Sequence, residues 1–562
     1  MSDSNWTRRR FLETVGAAGG ATALYETMVA MGLIRVPEAF AGPPDLAPDH
    51  GKGQRVIILG AGIAGLTAAY ELHKAGYEVH VFEANHRAGG RSYTVRRGDA
   101  IVETTGTRQV CQFDEGPQMY LNAGPGRLPY HHTAILHYCN LLGVELEVYN
   151  MMTRANFFQT KDAWDGAAMT NRRIVNDTRG WISDLLAKAI NKGCLDDQLH
   201  GTDKAGLLSL LSSFGDVEES DNFDYRGSSR SGYAVEPGIR NCGVLLPPLT
   251  LSDLVKSDFW DHRVMQSEEY EWQPTLFQPV HGMDHIWKGF LSHLPKEGMI
   301  RYNREVVGIE IEREKKKVTV RHRHAGSGEH GETITGDWCI STIPMPILKK
   351  IKIENVSDKF KEAIEAIDFA STCKVGWQTE SRFWETKDQM YGGISYTNQN
   401  MTQMWYPSYA YFSKKGILTG AYNYDTDAER MEGWAPHERL VHAMAEAKKL
   451  HPDFDKHVKL DLGVSIAWKQ VPWQLGGWAD DWGCEKPIPD VLLKPDGQFW
   501  VAGDQLSYLS GWQEGAVLSA HHILDAITQP KRRLRAAPAA AVETPAGLRK
   551  PPSTRRRTRG LP

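Results

Sequence analysis

The chain has 562 residues, 41% of them hydrophobic and 10% aromatic, with 65 Lys+Arg against 69 Asp+Glu and a formal net charge of −4. That is apolar material for two or three packed domains rather than one small core, and the near balance of charge excludes a protein built around a polyanion, so no nucleic-acid partner is expected. Seven cysteines, at 111, 139, 194, 242, 339, 373 and 484, show no C-x-x-C spacing, which excludes a disulfide scaffold and a zinc ribbon.

At the N-terminus Thr7, Arg8, Arg9, Arg10, Phe11 and Leu12 resemble a twin-arginine export signal. A Gly/Ala-rich run follows, interrupted by Glu26, and Ala39-Phe40-Ala41 supplies an A-x-A cleavage site. Residues 1–41 are therefore expected to be a signal peptide, with the twin-arginine machinery as a transient partner and a periplasmic or secreted location. No other stretch approaches the ~20 apolar residues of a membrane span.

Residues 56–59 form a short, β-branched apolar run that breaks at Gly60, Gly62 and Gly65, with Ala64 inside the turn. A helical repeat follows at Leu66, Ala69, Tyr70 and Leu72, Gly76 stops it, and residues 78–82 read as a second strand ending at Glu83. This spacing predicts a βαβ dinucleotide unit. Gly60 permits the tight turn, Gly62 the approach of a pyrophosphate to the helix N-terminus, and Gly65 close helix–strand packing, while Glu83 stands where a carboxylate accepts ribose hydroxyls.

Arg87, Gly89, Gly90, Arg91 and Thr94 then spell R-x-G-G-R-x-x-T. Together with the first unit this resembles the flavin amine oxidase family, which includes monoamine oxidases and L-amino-acid oxidases. The resemblance implies FAD, with the paired glycines passing against the diphosphate and Arg91 adding positive charge beside it. Further along, Gly124, Pro125, Gly126, Arg127, Leu128 and Pro129 are similar to the G-x-M-R-x-P element of L-amino-acid oxidases, with Gly126 in place of methionine. There the arginine binds the substrate carboxylate, the role implied for Arg127.

Residues 175–277 mix short helical patterns with Ser/Gly-rich loops; the resemblance puts a helical domain here, walling a substrate funnel. Pro279 to Asp284 resemble the family's G-G-M-D turn, with His281 replacing a glycine, and strands are predicted over 305–312 and 317–322. A valine of the first strand, Val307 or Val306, is implied to hold adenine. His281 and His285 are four apart, but without a third ligand no metal site is expected. Lys374 is a single lysine inside an apolar strand and by resemblance holds a water at flavin N5. In the Met404-Trp405-Tyr406-Pro407 segment, Tyr406 is implied to bond the substrate carboxylate, and because strand neighbours point to opposite faces only one of Trp405 and Tyr406 can face the flavin. Asp504 stands for the family's glutamate. Ser510 to Ala516, with Gly511 and Trp512, open a helix running to about Ala526, and the resemblance implies that its N-terminus stabilises reduced flavin. No cysteine lies in this element, so FAD is expected to be noncovalent. The basic, Pro/Ala-rich residues 531–562 are expected to be disordered.

The expected fold is therefore α/β. It combines a Rossmann-like FAD-binding domain of the glutathione-reductase/amine-oxidase type (54–120, 278–345 and 490–528) with a mixed-sheet substrate domain (121–174 and 346–489) and a helical domain (175–277). The implied activity is oxidation of an L-amino acid by O2 to a 2-oxo acid, ammonia and hydrogen peroxide, by an enzyme acting as a homodimer. A monooxygenase giving an amide, an amine oxidase without carboxylate recognition, and a binding module with a degenerate flavin site are the competing readings.

Overall fold

In the dinucleotide unit the sequence pattern becomes structure almost residue for residue. The structure is a computed structural model, and it describes residues 42–479 and 486–528. Strand Arg55–Leu59 runs into the glycine turn, helix Ile63–Lys74 follows, and strand Glu78–Phe82 pairs in parallel with the first strand, Leu59 opposite Phe82. These strands are the centre of a five-stranded parallel sheet completed by Ile300–Arg301, Trp338–Ser341 and Phe499–Val501, so three distant stretches of sequence meet in one sheet. Its inner strands Arg55–Leu59 and Trp338–Ser341, buried on both faces, read as apolar runs without alternation, whereas Glu78–Phe82 alternates and exposes Glu78. Helix Gln513–Thr528 packs against helix Ile63–Lys74.

Ile57, Leu59, Cys339, Phe499 and Val501 from the parallel sheet join Ile309, Ile311, Val318 and Val320 in one buried cluster. The last four come from a four-stranded sheet built on Arg304–Glu312 and Lys317–His324. Each such side chain contributes ~1.5–3 kcal/mol by leaving water, which holds the cofactor cleft's floor rigid.

The second large sheet has seven strands, with Thr372–Thr379 buried along its whole length between Gly416–Tyr424 and Val458–Ala467. Side-chain alternation divides its two faces. Cys373, Val375 and Trp377 point into a core shared with Leu440 and Ala443 of helix Pro436–Leu450. Thr372 and Lys374 point the other way, and Tyr422 stands directly across from Lys374. Helices Asn171–Asn191, Gly201–Gly215 and Leu251–Lys256 follow, so helical structure begins ahead of residue 175. No helix among the described residues is long and apolar enough to cross a membrane. The export signal and the basic tail lie outside the described residues.

Candidate active site

The parallel sheet and the seven-stranded sheet face a common cavity, lined from Gly60 and Glu83 of the first to Lys374 and Tyr422 of the second. One end is the glycine turn. Gly60 has φ 103°, and a Cβ on Gly65 would sit 2.1 Å from the Gly60 carbonyl oxygen, so close packing of helix on strand demands both glycines. Gly62 differs: a Cβ there would meet no protein atom within 4 Å. It caps helix Ile63–Lys74 with no side-chain hydrogen bond, so the first N–H groups of the helix stay open to an anion, and Ala64 lines the same wall.

Glu83 is 8% exposed. Its Oε2 accepts from the Ala61 N–H and its Oε1 from the Asn85 N–H, both at 2.8 Å. Burial pushes this carboxyl above its ordinary range, and the two backbone donors pull it back. Each oxygen keeps a lone pair for a ribose hydroxyl. Gly89 and Gly90 both have positive φ and border the cavity. At Gly124 a Cβ would fall 1.8 Å from the Arg91 carbonyl oxygen, which fixes the crossing of these two segments.

Arg91 borders the cavity, but its charge is largely committed. The guanidinium makes a two-pronged pair with Asp504 and donates to the Gly477 carbonyl at 2.7 Å. Asp504 also accepts from the Gly511 N–H at 2.9 Å. Asp504 therefore knits the second fingerprint to the turn before Trp512, and the helix N–H groups are the open donors for a diphosphate. In strand Arg304–Glu312 a bulge between Val306 and Gly308 sets Val307 off the regular ladder, and Arg304, Glu305 and Val306 line the cavity. Of the two valines implied for adenine, Val306 lines the cavity and Val307 sits in the bulge.

Two residues past Pro125, which lines the cavity, stands Arg127. A Cβ on Gly126 would lie 2.6 Å from the Trp405 ring, so glycine here lets Trp405 lie against the arginine's backbone. The Arg127 guanidinium is 5.0 Å from the Trp405 ring and 5.9 Å from both Tyr149 and Trp512. Its Nε is buried without a hydrogen-bond partner, and no described carboxylate pairs with it. A caged cation with its ion-pair position open is a binding group for an anion, because leaving it unpaired is costly.

Lys374 is 2% exposed and donates to the carbonyls of Asn122 at 3.0 Å and Gly124 at 2.5 Å. Its Nζ lies 4.4 Å from the Trp405 ring and 4.8 Å from Tyr422. Burial, and then the charge on Arg127, hold its pKa well below the ordinary lysine value. Trp512 lines the cavity, with the His132 ring at 4.9 Å and Trp272 at 5.9 Å.

Tyr406 does not join this site. Its hydroxyl lies 2.9 Å from Ser395 Oγ and 2.7 Å from His451 Nε2, in the core on the far side of the sheet. Alternation gives the site to Trp405 instead. Glu514, a conceivable pocket acid by its place in the chain, caps helix Thr133–Leu141 by accepting from the N–H groups of Ala134 and Ile135. Asp480 and Asp481 lie outside the described residues. His281 occupies a turn with φ 67° and His285 opens helix His285–Ser292, their rings 6.2 Å apart. A different group is gathered: Nε2 of His131 and of His132 both hydrogen-bond Glu271 Oε2, at 3.1 and 2.9 Å. Sequence reading also missed Tyr149, Tyr422 and Arg263. Only the strand register could have found Tyr422.

The described donors suit a dinucleotide at one end and a small carboxylate at the other. Comparison with known proteins agrees. Residues 63–523 match the model of the flavin containing amine oxidoreductase family. Among relatives, the flavin-dependent L-tryptophan oxidase of Lentzea aerocolonigenes is 26% identical over 83% of this chain and 96% of its own. The putative L-amino-acid oxidase of Bacillus subtilis is 25% identical over 84% and 94%. Among solved structures, cyclohexylamine oxidase from Brevibacterium oxydans shares the fold with a TM-score of 0.55 at 17% identity, covering 85% of this chain and 99% of that one. With residues 63–523, most of its length, matching that model, the chain belongs to the flavin-containing amine oxidoreductase family.

Proposed function

We propose that the protein is an FAD-dependent L-amino-acid oxidase. The observation that carries this reading is Arg127: a guanidinium caged by Trp405, Tyr149 and Trp512, with no described carboxylate partner, beside the only strand lysine facing the cavity among the described residues. An amine substrate has no use for such a cation. An α-carboxylate matches it through two parallel charge-assisted hydrogen bonds. The relatives' names, L-tryptophan and L-amino-acid oxidases, agree.

FAD would be held by the helix N–H groups after Gly62, by Glu83 and by the Gly89–Gly90 turn, with Val306 at the adenine end. No described residue lining the cavity is a cysteine, in keeping with noncovalent binding. When bound, the flavin supplies the two-electron acceptor for the substrate Cα–H and passes the electrons to O2. The chain's part is positional and acid–base. Arg127 fixes the carboxylate and so decides which Cα bond is presented. Trp405, Tyr422 and Trp512 exclude water. Lys374 spends donors on two carbonyls, and with its pKa held well below the ordinary lysine value by burial and by Arg127 it serves as the base toward a water for hydrolysis of the imine.

The test is to mix the purified yellow protein anaerobically with L-amino acids and with the corresponding amines. Bleaching by amino acids alone is expected; bleaching by amines alone would overturn the reading. Twin-arginine export completes it, motivated by Arg8, Arg9 and the A-x-A site, and appearance of a fusion in the periplasm that is lost in Arg8→Lys/Arg9→Lys is the check. A homodimer is also part of the reading, to be checked by sedimentation.

A further inference from the structure

A second guanidinium lies against Tyr424, on the same face of the seven-stranded sheet as Tyr422. Arg263 follows the short helix Leu251–Lys256 on the chain that crosses the sheet, and it lies 4.4 Å from the Tyr424 ring. Tyr424 stands across from Thr372, and Tyr422 across from Lys374; Thr372, Lys374 and Tyr422 all line the cavity. A row of aromatic rings joins the two arginines. Arg127 faces Trp405, Trp405 meets Tyr422 at 4.9 Å, Tyr422 meets Tyr424 at 5.9 Å, and Tyr424 faces Arg263.

Arg263 makes no ion pair or side-chain hydrogen bond with any described residue, although the surrounding region is rich in such pairs. Arg154, for comparison, reaches Asn171, and Arg230 reaches Asp216. One acid, Asp425, also acts on Tyr422 and Tyr424. Burial pushes the phenols of Tyr396 and Tyr422 up, and both Arg127 and Arg263 pull against it, so the two tyrosines lie within the field of both cations. Arg263 is only half-buried and holds φ 62°, a backbone region arginine seldom adopts. Nothing apolar in its packing calls for a guanidinium at this position.

We infer that Arg263 receives a second carboxylate, so that the preferred substrate is an L-amino acid with an acidic side chain, its α-carboxylate on Arg127 and its distal carboxylate on Arg263. The inference rests on the oxidase reading and narrows it. Such a substrate brings a net negative charge to two guanidiniums that have no carboxylate partner among the described residues. The ring row sets a non-polar wall along its methylenes, so lengthening the chain from aspartate through glutamate to 2-aminoadipate scans the distance between the guanidiniums.

Steady-state oxidation by the holoenzyme should favour one of these three acids over its neutral counterpart, glutamine for glutamate, by at least about tenfold in kcat/KM, the expected margin when a buried polar partner is removed. In Arg263→Met and in the charge-keeping Arg263→Lys the acid-to-amide ratio should collapse toward one in the first and partly survive in the second. Glutarate, which has no amine to oxidise, should perturb the flavin absorbance of the wild type at concentrations that leave Arg263→Met unchanged. Oxidation of phenylalanine or leucine in preference to every acidic substrate, with the ratio unmoved in Arg263→Met, would overturn the inference while leaving the oxidase reading in place. Failure of every L-amino acid to reduce the flavin would overturn both. If Arg263→Met does not fold, the wild-type acid-to-amide ratio and the Arg263→Lys ratio decide the matter.

Discussion

Trp405 and Tyr406, neighbours in the chain, serve opposite faces of the same sheet: the Trp405 ring lies 5.0 Å from the Arg127 guanidinium, while the Tyr406 hydroxyl sits 2.7 Å from His451 on the far side. The division follows from the two-residue period of a strand. It makes Trp405 a wall of the substrate site and Tyr406 a tie in the core.

Tyr406→Phe should therefore lower stability and spare catalysis. Removing the hydroxyl strands the buried Ser395 and His451 partners, a loss of ~1–3 kcal/mol, while kcat/KM on amino acids stays within about twofold. Denaturant unfolding beside steady-state kinetics checks both halves. A drop of a hundredfold or more in kcat/KM with unchanged stability would put Tyr406 back in the site.

Lys374 makes a prediction about pH. Its folded pKa is depressed by burial and by Arg127, whereas in the unfolded chain it returns to the ordinary ~10.4. Between those two values the unfolded chain binds more protons than the folded one, so this lysine makes stability rise with pH across that window. In Lys374→Met that contribution to the slope disappears. Melting temperatures of both proteins from about pH 7 to about pH 10 test it; parallel curves would show that Lys374 stays charged in the fold.

The phosphate-binding turn was legible from sequence because its physics is local: Gly60, Gly62 and Gly65 act within one βαβ unit, and the strand, turn and helix appear where the pattern put them. Arg127 was legible for the same reason, held between glycines and prolines. What failed depended on pairings far apart in the chain. The choice between Val306 and Val307, open in the sequence, turns on a bulge that only the partner strand defines. Tyr422 reaches Lys374 only through an antiparallel register with a bulge of its own. Trp405 and Tyr406 were a choice between faces that the alternation poses and the core composition decides. Arg263 sits in a loop-rich stretch without periodicity, where no local signal separates a site residue from a solvated one.

Asp504 ties three segments together through Arg91 and the Gly511 N–H. Asp504→Ala should cost ~1.5–3 kcal/mol, the range for hydrogen bonds to charged groups, kept from the larger cost of a fully buried pair because Arg91 retains some solvent access. The released Arg91 can then turn to the diphosphate. FAD retention should survive better than thermal stability does, so the apo protein's melting point should fall while FAD affinity changes less than about tenfold. Complete loss of flavin at unchanged apo stability would mean that Asp504 itself holds the cofactor.

Arg127 separates an amino-acid oxidase from an amine oxidase. Its Nε is buried without a partner and its cage of Trp405, Tyr149 and Trp512 leaves the ion-pair position open. In Arg127→Met the substrate carboxylate would enter a water-poor site unpaired, a loss of ~2–5 kcal/mol or roughly thirtyfold to several thousandfold in kcat/KM. The decarboxylated amine needs no such partner and should keep whatever rate it has, while FAD, held at the other end of the cavity, should bind as before. Matched pairs such as phenylalanine with phenethylamine, or glutamate with 4-aminobutyrate, isolate the carboxylate as the single difference. An equal fall on both members of a pair would mean that Arg127 supports the fold of the site rather than the substrate; an amino-acid rate that does not fall would remove the central support for the oxidase reading.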